Sequence, residues 1–347
     1  MAVARPHSLP DAGGIERRAR LRTALAACLA LLLAGCVGGA PGASGDAVAP
    51  RSGRPLVTPW LSLTGARLAP AADATGTPSL RSGPLAFHRF VHPSAAAVHG
   101  NNVYIADSGA GAVFRFDVAL GAMTPLKGVQ AHSTTRVFVA GDFSLYVLDV
   151  QNRRVQRFAR SGQLLATYGD SINLARPVDI AVDDADGRVL VADSVFNQLV
   201  AFHPLGRASY VVPLRGNERN RVLSIGAIAM GEDALYVSDP ACRCIVRVAR
   251  DGTVLDSFGH QVIGQPGALA VDRYRRVFVA DRFDRSLKVF MDGRLVFNLP
   301  AAALGLQQID DLRILEDQLA LADGAGARVE LLRIAPPQQA PSPTEPR

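Results

Sequence analysis

One tryptophan, Trp60, and four cysteines are all that the 347-residue sequence holds of those two residue types. A repeat protein with tryptophan in every unit is therefore excluded, and so is a disulfide-dense scaffold. No run of five like charges occurs beyond residue 35, so the basic tract expected of a nucleic-acid binder is missing. The sequence has no Gly-x-Ser-x-Gly, no phosphate loop and no Gly-x-Gly-x-x-Gly after a strand; it also lacks His-x-His and His-Glu-x-x-His. Without these motifs no catalytic residue and no cofactor are assigned. What is present is 48% hydrophobic and 20% charged residues, the balance of a globular chain, with 32 Gly and 22 Pro. That many turn formers argue against a helical bundle.

Arg17, Arg18, Arg20 and Arg22 precede an apolar run from Ala24 to Ala34. The run falls short of the roughly 20 residues that cross a bilayer. A basic flank, a short apolar core and small residues describe a secretory signal. Its end, Leu33-Ala34-Gly35-Cys36, resembles the lipobox of bacterial lipoproteins. That resemblance implies cleavage before Cys36, acylation of its thiol (palmitate among the chains) and a membrane anchor. Val37 after the cysteine implies the outer membrane, facing the periplasm. Residues 1–35 carry five arginines and two acids, so their removal would take the formal charge from +6 to +3. A charge that small argues against nucleic acid as a partner.

Residues 36–83 are rich in Gly, Ala, Pro, Ser and Thr and read as a lipidated cysteine and flexible linker; Trp60 with its Leu neighbours reads as a sticky apolar spot within it, the alternative being that it docks on the domain or a partner. Residues 336–347 form a Pro-rich tail expected to be disordered.

Between these ends, six segments share an apolar run that closes on aspartate, at Asp107, Asp149, Asp193, Asp239, Asp281 and Asp323, with spacings of 42, 44, 46, 42 and 42 residues. Six residues after each aspartate stands an aliphatic residue: Val113, Val155, Leu199, Ile245, Leu287 and Val329. The third unit is the clearest. Val178–Val182, Val189–Ala192, Leu199–Phe202 and Ala208–Val212 read as four strands, with a turn at Asp183–Gly187. Four short antiparallel strands in about 43 residues make one propeller blade. The predicted fold is all-β: a six-bladed β-propeller over residues 84–335.

The units resemble NHL repeats, a family of six-bladed propellers. Arg176-Pro-Val-Asp-Ile-Ala-Val-Asp183 with Val189-Leu-Val-Ala-Asp193 carries the likeness, as does Gln265-Pro-Gly-Ala-Leu-Ala-Val-Asp272 with Val277-Phe-Val-Ala-Asp281. The sixth unit stops after three strands, and Pro84–Val91 matches a fourth in position, so this segment is expected to pair onto the last blade and close the ring.

The six blade aspartates are expected to cap their own loops rather than form a site. In the family's topology the segments leading into the first strands share one face, and there they contribute His92, His132, Arg176, Arg221, His260 and Gln308. This His/Arg rim is the expected ligand-binding face. Cys242 and Cys244 are the only cysteines left once Cys28 and Cys36 are set aside, and they are a candidate disulfide. Gluconolactonase-like propellers hold a metal inside the channel; Asp179 and Asp310/Asp311 are the acids of the first strands here, and no matching set emerges.

The expected function is a lipid-anchored cell-envelope propeller that binds a protein, peptide or glycan. One alternative is a metal-dependent lyase or hydrolase using His92, His132 and His260, as the peptidylglycine amidating lyase uses histidines at comparable places. Another is a structural component of the envelope.

Overall fold

In the second strand of each blade nearly every residue is apolar, because adjacent residues face different neighbours. Leu145 and Val147 pack toward blade one, whereas Tyr146 and Leu148 pack toward blade three. The computed structural model describes residues 55–69, 86–206, 209–218 and 220–337. The expected signal segment, Cys36, some of the linker and the tail beyond residue 337 lie outside the described residues.

Six sheets follow one another along the chain, and the four strands of each blade pair antiparallel. The first strands of the blades are Pro93–His99, Arg136–Val139, Pro177–Asp183, Ala227–Met230, Pro266–Val271 and Asp311–Leu315. In each of blades two to five, three more strands stack outward in sequence order, so each sheet has four. Six apolar clusters form the core, one at every blade–blade boundary. Among the described residues the only helix is the 3-10 turn Ala301–Leu304, and none is long and apolar enough to cross a membrane. The architecture is the six-bladed propeller that the repeats predict.

Closure differs from expectation. Blade six is completed by Val57–Leu63 (β1), which pairs antiparallel with Arg328–Ile334, from Val57 opposite Ile334 to Leu63 opposite Val329. Pro84–Val91 does not close the ring. Its middle forms Phe87–Arg89 (β3), which pairs with Gly65–Leu68 (β2), and β2 runs parallel to Ala122–Pro125 on the outside of blade one. Blade one thus has six strands. The linker reading therefore fails over residues 57–68. Trp60 is no loose apolar spot: it packs against the blade six–blade one cluster, with the Arg333 guanidinium 4.3 Å above its ring. The reason is geometric. β1 is an edge strand, which tolerates Pro59, and its register shifts between Pro59 and Leu61. Gly65 makes the step from blade six to blade one. At φ 148°, a Cβ there would lie 2.2 Å from the His88 carbonyl oxygen.

Candidate functional site

The blade aspartates build one face. Asp193 accepts hydrogen bonds from the Ala175 and Arg176 amides of the incoming loop at 2.7 and 2.6 Å. It also accepts from Val195 and Phe196 of its own turn at 3.0 and 2.8 Å. Asp107, Asp239, Asp281 and Asp323 likewise bond to both the incoming loop and their own turn. Asp149 is the exception and bonds only Asn152 and Arg154. Each turn then passes through a left-handed residue four positions after the aspartate: Gly111, Arg153, Asn197, Arg243, Arg285 and Ala327. These turns and the incoming loops form what is here termed the upper face.

All six residues of the expected rim lie in upper-face loops, yet they do not form one ring of side chains. His92, Arg176 and Gln265 directly precede the first-strand prolines, and their amides bond the blade aspartates. Arg221 and His260 lie farther upstream, six residues before the first strands of their blades. His92 bonds Ser108 at 3.0 Å, Arg176 bonds Ser194 at 2.9 Å, and Gln308 bonds Asp310 at 2.8 Å. His132 donates its backbone amide to Thr135 at 2.9 Å. His260 contacts Ser257 at 2.9 Å. Among the described residues, the only group of three His, Cys, Asp or Glu side chains close enough to share a metal is Cys242, Cys244 and His260. His92, His132 and His260 are not brought together, because they enter on loops of different blades and of different lengths.

The channel joins Asp179 and Asp311, two of the first-strand acids noted in the sequence, to Arg136 and Arg313, which were not. Ala95, Arg136, Asp179, Ala227 and Asp311 all pair with the residue just before their blade aspartate, so they occupy one level of the inner strands. Arg313 lies two residues further along and crosses from blade six to bond Asp179 of blade three. Asp179 also accepts from the Ile228 amide at 2.9 Å. Asp311 sits 3.7 Å from Arg313 and 3.9 Å from Arg136. Burial raises the Asp311 carboxyl to about 6, against the pull of both arginines. Arg313 is also fully buried, which disfavours its charge, but Asp179 and Asp311 outweigh that and raise its pKa.

This transverse ion pair separates two cavities. Asp311, Asp179, Arg136, Gln265 and Arg282 line a small upper one of about 70 Å³. Arg313, Phe138, Asp183, Asp184, Glu232 and Glu316 are among the residues around a lower one of about 550 Å³. Burial, with Asp183 and Asp142 nearby, raises the Asp184 carboxyl. The signal that could have found the channel group is a charge at a first-strand position where other blades carry alanine.

No family model matches the sequence, and no curated protein matches it. Solved structures do. Virginiamycin B lyase from Staphylococcus aureus aligns with a TM-score of 0.53 at 11% identity, over 71% of this chain and 96% of the lyase. A gluconolactonase from Xanthomonas campestris gives 0.55 at 19%, over 80% of this chain and 99% of that one. A Bacteroides thetaiotaomicron protein of unknown function gives 0.58 at 14%, over 79% and 77%. The likeness is one of fold. At such identities the six-bladed ring is shared, and the chemistry of each neighbour remains its own.

Proposed function

We propose that this chain is a lipid-anchored binding module of the cell envelope, held through Cys36 and facing the periplasm from the outer membrane, and that its upper face docks a protein or peptide. The observation that carries this reading is the composition of that face. Ile172, Phe196, Leu223 and Phe283 are 82, 51, 46 and 79% exposed on the incoming loops and turns. Arg176, Arg221, Arg243, Arg282 and Arg285 are exposed among them. Aromatic residues and arginines on backbone that is already ordered are what protein interfaces favour, since little is lost in ordering them. The capping aspartates supply that order. The matching partner presents apolar and acidic side chains. The metal-enzyme alternative draws less support, because among the described residues no group close enough to share a metal contains His92 or His132.

Capture from solubilised envelopes tests the face. Wild-type protein should retain a partner that Phe196→Ala/Phe283→Ala loses. Leu120→Ala, on the opposite face and 76% exposed, should keep it. Identical capture by all three would reject the assignment. Cys36→Ser should move the protein from the membrane fraction to the soluble one.

A further inference from the structure

We propose that Cys242, Cys244 and His260 form a redox-gated site for a thiophilic d10 cation, zinc or cuprous copper. The site is closed while the cysteines are joined and opens when they are reduced. The structure joins the two sulfurs as a disulfide, with Cα atoms 5.3 Å apart. One ligand atom from each cysteine and one from His260 all lie within 4.8 Å of one another.

The placement of the two thiols does not depend on the bond between them. They flank Arg243, at φ 55°, the left-handed residue that every blade has four positions after its aspartate. Asp239 holds the turn through the Ala241 and Cys242 amides at 2.9 and 3.2 Å. The same two positions in blade five are Asp284 and Ser286, whose side chains meet at 2.5 Å without any covalent link. In blade two, Asn152 and Arg154 both reach the same oxygen of Asp149. The blade turn therefore brings these side chains together, and reduction should leave both sulfurs side by side. His260 comes from the loop between blades four and five. Its exposed ring contacts Ser257 Oγ at 2.9 Å, which can orient the imidazole.

The chemistry follows from the donors. Two sulfurs and one nitrogen suit zinc or cuprous copper, whereas calcium and magnesium require oxygen ligands. A dithiol reductant transfers two electrons and two protons to the Cys242–Cys244 bond, giving two thiols and its own disulfide. The cation then displaces the two thiol protons, and His260 supplies the third ligand. A fourth position remains open to solvent.

Competition titration with a chromophoric chelator tests the site, using zinc and, without oxygen, cuprous copper, on phosphine-reduced and on oxidised full-length protein. Reduced wild type should bind one equivalent and oxidised wild type none. Cys244→Ser should abolish the site. His260→Ala alters an exposed residue of an otherwise intact fold, and it should weaken binding by about a hundredfold, since even loss of an outer partner costs 10–100-fold. If reduced wild type holds the cation no more tightly than reduced Cys244→Ser or oxidised wild type, the proposal is overturned. If His260→Ala binds like wild type, the three-residue site is overturned.

Discussion

Asp193 and Asp149 stand at the same place in their repeats and do different work. Asp193 ties two loops together with four backbone hydrogen bonds, and Asp149 steadies only its own turn. Charge-assisted bonds to backbone amides are among the stronger ones, and losing one partner leaves buried donors unsatisfied. Asp193→Ala should therefore cost about 2–4 kcal/mol in denaturant unfolding and Asp149→Ala about 1 kcal/mol. Equal losses would show that the cross-loop bonds add nothing. Asp311 has a different signature. Its folded value of about 6 lies above the ordinary 3.8, so the folded state holds the proton more tightly than the unfolded chain. The stability this supplies is complete below pH 3.8 and is lost as pH rises through about 6. Asp170 behaves oppositely. Burial is the largest single influence and pushes it up, but the hydrogen bonds from Asn173, Ser209 and Ile172 together outweigh it and hold it at about 2, so its contribution is lost only as pH falls below the ordinary 3.8 toward that value. Between pH 6 and 4, wild type should gain stability relative to Asp311→Asn, and a flat difference across that window would refute the raised carboxyl.

On the scale of strands, the ion pair across the channel joins blade six to blade three. Removing one member of a buried pair leaves the other charge uncompensated, at a cost of about 3–5 kcal/mol. Arg313→Ala should lose that much at pH 7 and less at pH 5, where Asp311 takes up a proton. It should also open the upper cavity into the lower one, measurable as faster exchange of the inner-strand amides. Strands are also where the reading from sequence succeeds and fails most visibly. The blades were legible because each second strand is apolar on both faces and ends on a capping aspartate, which repeats whatever the loop lengths do. The channel group was not. Arg136, Asp179 and Asp311 lie 13, 14 and 12 residues before their blade aspartates, because first-strand turns differ in length, and only the pairing register aligns them. The closing strand was hidden for another reason. Only Val57 and Leu63 of β1 are fully buried, so the strand lacks an apolar signature and reads like its Gly- and Pro-rich surroundings.

For the molecule as a whole, those seven residues complete blade six. A chain beginning at residue 64 would leave Arg328–Ile334 as a bare edge and uncover the apolar residues that Val57 and Leu63 protect. Such a chain should melt several degrees lower and self-associate in sedimentation. A chain beginning at residue 55 should match the full protein in both respects. Unchanged melting of the shorter chain would mean that the ring does not rely on β1.

The pairing of Val57 with Ile334 also sets how the molecule bears a load. The chain comes into the ring and leaves it at one corner, as neighbouring partners of the same antiparallel ladder. Tension applied through the residues before Val57 pulls on the end of that ladder. When the load is opposed at the same end, through Ile334, its bonds break in succession, as a zip opens, rather than all together in shear. An N-terminal tether under strain would thus peel off β1 first and leave the other five blades intact, which makes the last blade the mechanical fuse of the ring.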